Sequence, residues 1–219
     1  MRATLEPRKS VRLNWFKQLK VPFTIKREIK ISYDLYSVLN NERVPSVYMH
    51  YVFSGLTNPI PSTSIIVFDK ELPQSYTSTT GSVGGKINTE NMLDSDLNVV
   101  DRIVKVEQGE EKITTKPPAP HETHLYKEIQ IHERKDTVKR KITLKNETDR
   151  AINHLELTII ENKEVRFVES NPPPDNSDPP EYKYSLEVPK DGTVAIEFTL
   201  ETYQKSTYPI DKPKPVDVR

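Results

Sequence analysis

Three histidines near the middle of the chain, His121, His124 and His132, have the side-chain type that most often points to a metal site. Imidazole nitrogen is a common zinc ligand in proteins. On an extended chain, however, side chains three positions apart point to opposite faces, so His121 and His124 converge only if a turn intervenes. The spacing fixes no further ligand that would complete a site. We therefore predict surface histidines and no metal or other cofactor, with these three as the candidate ligands if a metal binds.

The acidic residues offer little that resembles catalysis. Asp94-Ser95-Asp96 resembles the start of a calcium-binding loop, but the glycine and the final glutamate of such a loop are absent. Glu110 and Glu111 precede a proline-rich segment and are typical of a solvated stretch. The sequence contains no Gly-x-Ser-x-Gly nucleophile motif and no glycine-rich phosphate loop. We predict that the protein is not an enzyme, and a hydrolase built on a β-sandwich is the less favoured alternative.

The first 23 residues form a basic segment in which aromatic side chains stand among lysines and arginines. Helices that lie on anionic membranes combine these residue types. The simpler interpretation is that Trp15 and Phe16 pack onto the first sheet. Membrane contact through Arg12, Trp15, Phe16 and Lys17 is the alternative.

Asn146-Glu147-Thr148 is an N-glycosylation sequon. It falls in a polar run that favours a turn, so we expect Asn146 to be exposed. In a secreted or surface protein this asparagine would be a glycan acceptor, and elsewhere it would be only a turn residue.

The composition narrows the function classes. The 219 residues include no cysteine, which removes disulfides, thiolate metal sites and cysteine nucleophiles. Lys and Arg total 32, as do Asp and Glu, and this balance disfavours a specific nucleic-acid partner. No apolar run approaches the length of about 18–20 residues that a membrane span needs, and the N-terminus lacks the apolar core of a signal peptide. Association with a surface or an envelope remains open.

Apolar residues recur with a period of two, which predicts an all-β fold. The 18 prolines and 6 glycines also disfavour long helices. We interpret residues 138–161 as a hairpin with Leu157 on its inner face and Thr158 on the opposite face. Residues 182–188 and 194–200 alternate in the same way around a Pro-Lys-Asp-Gly turn, and short strands at this spacing suggest an immunoglobulin-like sandwich.

The proline-rich run Lys116–Pro120 is the clearest candidate for a linker, because consecutive prolines form an extended spacer. We predict two β-sandwich domains joined by it. The predicted division is a basic segment at 1–23, a sandwich-like domain at 24–113, a linker at 114–122, an immunoglobulin-like sandwich at 123–203 and a proline-rich tail at 204–219.

Three motifs resemble the uncharacterised all-β domain in the C-terminal half of mucoidy-inhibitor-A homologues. They are Asn58-Pro-Ile-Pro61 leading to a strand at Ile65–Phe68, Ile142-Thr-Leu-Lys-Asn146, and Val188-Pro-Lys-Asp-Gly192 running on to Leu200. The chain departs from that family's pattern at Ser62 or Thr63, where the family has glycine, and at Phe198, where it has tyrosine. The coiled-coil half that precedes the domain in the family is missing. The resemblance implies a non-catalytic interaction domain at an envelope or surface and brings no active-site residues.

The sequence as a whole therefore predicts a binding or assembly protein that is a surface, envelope or particle component. We expect protein partners or self-assembly. A membrane-surface adaptor that uses the basic N-terminus is the competing hypothesis.

Overall fold

The computed structural model describes residues 18–69 and 72–211, and every structural statement concerns this part of the chain. Strands make up 65% of the described residues. The described residues form no α-helix, and their one helical element is the 3₁₀ turn Ser37–Leu39. The prediction of an all-β protein is confirmed, as expected for a chain rich in two-residue periodicity and proline.

Fifteen strands follow one another in the described residues. In chain order they are β1 (Phe23–Ser32), β2 (Glu42–Arg43), β3 (Tyr48–Phe53), β4 (Pro61–Asp69), β5 (Leu72–Gly81), β6 (Ile87–Asn88), β7 (Met92–Leu93), β8 (Leu97–Glu107), β9 (Lys112–Lys116), β10 (Tyr126–Asn146), β11 (Ile152–Ile160), β12 (Val165–Asn171), β13 (Asn176–Asp178), β14 (Glu181–Val188) and β15 (Thr193–Asp211).

The chain divides into two compact units, which differ from the predicted domains. Of the described residues, the smaller unit contains 18–25, 50–69 and 72–92, and the larger contains 26–49 and 93–211. The larger unit therefore takes strands from the predicted first domain. One reason is that β1 pairs in parallel with β11, joining Ile29 to Leu157 across more than half of the sequence.

The predicted linker and tail also differ from the structure. The linker was predicted to begin at residue 114, but residues 114–116 belong to β9, which pairs with β10. The tail was predicted from residue 204, but β15 continues to Asp211 in an unbroken ladder with β10. Prolines that follow or interrupt these strands made them resemble spacers, although a proline at a sheet edge is compatible with a strand.

The smaller unit has little buried apolar surface. β4 and β5 form an antiparallel hairpin in which Ile66 lies opposite Tyr76, and both side chains are exposed. β3 pairs with β6 next to buried Tyr51. The hydroxyl of buried Thr79 donates a hydrogen bond of 2.8 Å to the Asn88 carbonyl.

The larger unit contains two sheets with one hydrophobic core between them. In this unit the first sheet has the strand order β13-β14-β11-β1, and the second has the order β12-β15-β10-β8-β2, with β9 also paired to β10. Alternate residues of each strand enter the core, as their period of two requires. Ile29 and Leu157 enter from the first sheet, and Ile142 and Ile196 enter from the second.

The predicted hairpin at 138–161 is wrong in its pairing, although both of its strands exist. β10 ends at Asn146 in the second sheet, and β11 begins at Ile152 in the first sheet. The turn between them therefore crosses from one sheet to the other. The Pro-Lys-Asp-Gly turn between β14 and β15 makes the same crossing. Alternation predicts which face of a strand is buried, but it carries no information about which strand lies beside it.

The inner position of Leu157 is confirmed, because its side chain is completely buried in the core. Thr158 lies on the opposite face of β11, yet it is only 1% exposed. Its cross-strand neighbours are Lys30 and Lys183, and the long stems of lysines readily cover a short side chain between them.

The second sheet extends well past the core. β10 and β15 pair from Tyr126 and Asp211 to Lys145 and Thr193, whereas β8 accompanies β10 only from Thr137 onward. β9 replaces β8 opposite Ile129–Glu133. We call this three-stranded extension, residues 112–116, 126–135 and 203–211, the arm.

Candidate functional site

The three candidate metal ligands do not form a metal site. His121 lies in an exposed turn with its Nε2 3.8 Å from Glu122 Oε1, and His124 is exposed in the same turn. His132 lies in the arm. Across the part of the chain that the structure describes, no group of three or more potential metal-ligating side chains comes together.

His132 instead links the three strands of the arm. Its Nδ1 lies 2.9 Å from Glu111 Oε1, just before β9. Its ring meets the edge of the Tyr208 ring, from β15, with centroids 4.8 Å apart. Its nearest contacts are thus those of a packed cross-strand residue.

The expectation that Asn146 is exposed is wrong. Its side chain is completely buried, and its Nδ2 donates hydrogen bonds to the carbonyls of Arg150 (2.7 Å) and Pro189 (3.0 Å). Its Oδ1 accepts hydrogen bonds from the backbone N–H and the hydroxyl of Thr148. The sequon residue thus connects the two turns that cross between the sheets, and its nitrogen, where a glycan would attach, is already engaged in the folded chain.

The predicted membrane-contact residues, Arg12, Trp15, Phe16 and Lys17, lie outside the described residues. Among the residues that are described, no helix has both the length and the apolar character to cross a bilayer.

The Asp94-Ser95-Asp96 motif binds the side chain of Arg27 through both carboxylates. It resembles a calcium-binding loop only in sequence. Arg27 bonds through Nε to Asp94 Oδ2 and through Nη2 to Asp96 Oδ2 at 3.1 Å. The side chain of Asp94 is 1% exposed, so the guanidinium supplies the positive charge that this buried carboxylate needs.

A buried polar network that the sequence analysis missed lies inside the core of the larger unit. Arg140 Nε donates to Asp101 Oδ1 at 2.8 Å, and both side chains have no exposed surface. The Tyr33 hydroxyl donates to Asp101 Oδ2 at 2.9 Å. Arg140 Nη1 donates to the carbonyls of Val38 (2.6 Å) and Asn40 (3.0 Å), which flank the end of the 3₁₀ turn.

The geometry of this network suits a structural role. Burial and the neighbouring Asp101 carboxylate raise the pKa of Tyr33 well above its ordinary value, so the phenol stays protonated as a hydrogen-bond donor. Neither charged side chain has surface that a substrate could contact. A sequence signal does exist, because Arg140 lies between inward Val138 and Ile142, and Asp101 lies between inward Val99 and Ile103. A charge at such a position indicates a buried partner.

The arm is a three-stranded sheet that carries exposed apolar side chains. Residues that lie opposite one another on the three strands of the arm form three cross-strand rows. The side chains of these rows lie on the face that continues the solvent side of the second sheet. We call this the outer face of the arm. Its rows are Lys112–Glu133–Lys205, Thr114–Ile131–Thr207 and Lys116–Ile129–Pro209.

The opposite face of the arm also carries apolar side chains. Ile113 is 53% exposed and Tyr208 is 51% exposed, with His132 between their strands. On the outer face, Ile129 and Ile131 are only half-buried. A sheet face that meets water is normally polar, so apolar residues on both faces distinguish the arm from an ordinary solvated sheet.

Prolines limit strand addition at the edges of the arm. The Tyr203 N–H donates away from β10, to the Glu164 carbonyl, so alternate residues of β15 present their backbone groups to the same side. Pro209 falls in this register and has no N–H to offer. Pro117 directly follows β9 on the other edge. Prolines at edges are a common protection against pairing with another sheet, so the faces of the arm are the better candidates for binding.

Comparisons with known proteins add no identification, because the chain matches no family model, no curated protein and no solved structure.

Proposed function

We propose that this chain is a non-catalytic binding or assembly protein, a structural component of a surface, an envelope or a larger particle, and that it binds through the arm. The observation that carries the proposal is the apolar surface on both faces of the arm, at Ile129, Ile131 and Tyr208. In the part of the chain that the structure describes, Ile113 and Tyr208 of the arm are more than half exposed. Three strands are a minimal sheet that needs a packed face for stability, and a partner would supply one.

The finer assignments of fold and family belong to the same proposal. An immunoglobulin-like arrangement of the larger unit is supported by its two facing sheets and by the two turns that cross between them. The resemblance to the all-β domain of mucoidy-inhibitor-A homologues is supported by Asn146 and Gly192, because the Asn146 N–H donates to the Gly192 carbonyl at 2.9 Å and so joins two of the motifs. That family's interaction role agrees with a binding function.

The test compares proteins captured from an extract of the native host by the wild-type chain and by an arm variant. Ile131→Thr combined with Tyr208→Thr removes one apolar side chain from each face while keeping strand-forming residues. The matched control is Val104→Thr with Val168→Thr, which removes two exposed apolar side chains of the second sheet outside the arm.

We expect the control to capture the same proteins as the wild type and the arm variant to lose them. Melting temperatures of all three chains check that each is folded. A folded arm variant that still captures every wild-type partner would contradict the proposal.

A further inference from the structure

We infer that the partner of the arm is a second copy of this chain, which receives the outer face of the arm on the solvent side of its first sheet. The inference rests on the proposed function, because it names the partner that covers the arm. It follows from complementary charge on two surfaces of the larger unit and from a recess that fits lysine side chains.

The receiving surface, which we call the acidic face, is the solvent side of β1, β11, β14 and β13. Glu28 lies directly beside Glu156 in the parallel register of β1 and β11, and Glu181 lies beside Asp178. Like charges opposite each other destabilise a sheet. With Glu187 of β14 the surface carries five carboxylates, which outnumber its three lysines, Lys26, Lys30 and Lys183, so the face has an excess of negative charge.

The pKa of Lys183 reflects the negative charge of this surface. Glu181 accepts a hydrogen bond from Lys183 and, together with Glu156 and Glu28, raises the pKa of the Lys183 ammonium. The acidic face therefore favours positive charge brought close to it.

A recess opens in the acidic face where β11 bulges between Ile152 and Leu155. It has a volume of about 350 Å³, and its lining includes Glu28, Glu156 and Glu187 together with Lys26 and Arg27. Arg27 is already bonded to Asp94 and Asp96. With Arg27 paired elsewhere, three carboxylates face one lysine, and this excess of negative charge favours a further ammonium group on a flexible apolar stem.

The outer face of the arm presents such groups. Lys112 and Lys116 are exposed on β9. Lys205 Nζ donates a hydrogen bond of 2.6 Å to Glu133 Oε1. The face thus has three lysines and one glutamate, arranged around Ile129 and Ile131. Lysines would meet the carboxylates of the acidic face, and the isoleucines would lose contact with water.

The two surfaces belong to different sheets of the same unit, so they are not the same patch meeting itself. Contact made in one direction, from the arm of one copy to the acidic face of the next, is heterologous and leaves one arm and one acidic face free in a dimer. Such contacts build a closed ring or an open filament, which agrees with an assembly role.

Sedimentation velocity on purified protein tests the inference directly. We expect the wild type to associate with rising concentration and to dissociate in high salt, which screens the charges. Lys112→Glu with Lys116→Glu, and separately Glu28→Lys with Glu156→Lys, should each weaken self-association by about tenfold or more. The chain with all four substitutions should associate again, because the charges are exchanged between the surfaces.

Mixing the two double variants gives the sharper result. Each variant alone brings like charges together, but in an equimolar mixture the intact arm meets the intact acidic face and the reversed arm meets the reversed face, so the mixture should associate as the wild type does. The matched control is Lys139→Glu with Lys141→Glu. It reverses the charge at two positions of the second sheet outside the arm and should leave self-association unchanged.

The absence of cysteine allows the contact to be mapped. A chain with Thr114→Cys in the arm, mixed with one carrying Ser185→Cys beside the recess, should form a disulfide-linked dimer under mild oxidation. Replacing the second partner with Ala195→Cys, on the solvent side of the second sheet, should give none.

The outcomes separate this inference from the proposed function. A wild type that stays monomeric at every concentration overturns the second-copy inference, while arm-dependent capture from host extract would still support binding through the arm. Association that survives both double variants also overturns it. If the arm variant changes neither capture nor association, the proposed function fails as well.

Discussion

Arg140 and Asp101 form an ion pair inside the core, with Nε 2.8 Å from Oδ1 and no exposed surface on either side chain. The guanidinium also reaches the Val38 and Asn40 carbonyls, so the pair connects the second sheet to the segment between β1 and β2. Isolated buried charges are costly, and each of these groups offsets the cost of the other.

Removing one partner should therefore destabilise the protein strongly. We expect Asp101→Ala to lower the free energy of unfolding by about 3–5 kcal/mol, because it leaves the Arg140 charge buried and uncompensated. Urea denaturation measures the change. The matched control is Glu197→Ala, which breaks the exposed Lys141–Glu197 pair of the same sheet and should cost about 1 kcal/mol or less. If Asp101→Ala and Glu197→Ala lowered the free energy of unfolding equally, the Arg140–Asp101 pair would not be shielded from solvent.

Tyr33 should make the stability depend on alkaline pH. Burial and Asp101 raise its pKa in the folded chain above the ordinary value of 10.0, so folding favours the protonated phenol. Its contribution is then fully present below the unfolded pKa and is lost as the pH rises from there through the folded pKa. Unfolding measured by denaturant across this range should show stability falling with pH.

Tyr33→Phe should make that decline shallower, because the titrating group is gone. The exposed Tyr48→Phe is the control and should leave the pH profile unchanged. An unaltered decline in Tyr33→Phe would assign the alkaline sensitivity to other groups.

Leu157 and Thr158 test the two faces of β11. We expect Leu157→Ala to cost about 2–5 kcal/mol, the usual range for emptying a core leucine site. Thr158 is also buried, but on the face of β11 that points away from the core, so Thr158→Ala should cost about 1–2 kcal/mol. Thermal or urea unfolding ranks the two variants. A reversed ranking would mean that the faces of this strand are misassigned.

Asn146 should be a stability residue. Asn146→Ala removes the hydrogen bonds to the Arg150 and Pro189 carbonyls and leaves these groups without their donor, so we expect a loss of about 1–3 kcal/mol. Glu147→Ala, in the same turn but exposed, is the control and should cost much less. A small effect of Asn146→Ala would show that water readily replaces the amide.

Intact-mass measurement of host-derived protein addresses modification at the same residue. We expect Asn146 without a glycan, because its Nδ2 is buried and bonded in the folded chain. A glycan mass removed by Asn146→Gln would contradict this expectation and show that modification precedes folding.

The sequence by itself determined the β character of the chain and the burial of individual strand faces. Alternation of apolar residues placed Leu157, Ile142 and Ile196 inward, since side chains on a strand point to opposite faces at each step. These are local properties, and neighbouring residues in the sequence suffice to express them. The density of proline likewise predicted the absence of long helices correctly for the described residues.

Only the tertiary structure decided which strands pair and what each polar residue contacts. The turn after Asn146 could have closed a hairpin or crossed between sheets, because both arrangements bury the same alternate residues. The partners of Arg140, Asp101 and Arg27 come from distant parts of the chain, so no local spacing identifies them. The arm exists because β15 and β10 continue past the last residue of β8, a difference in strand length that becomes visible only when the strands are aligned in space.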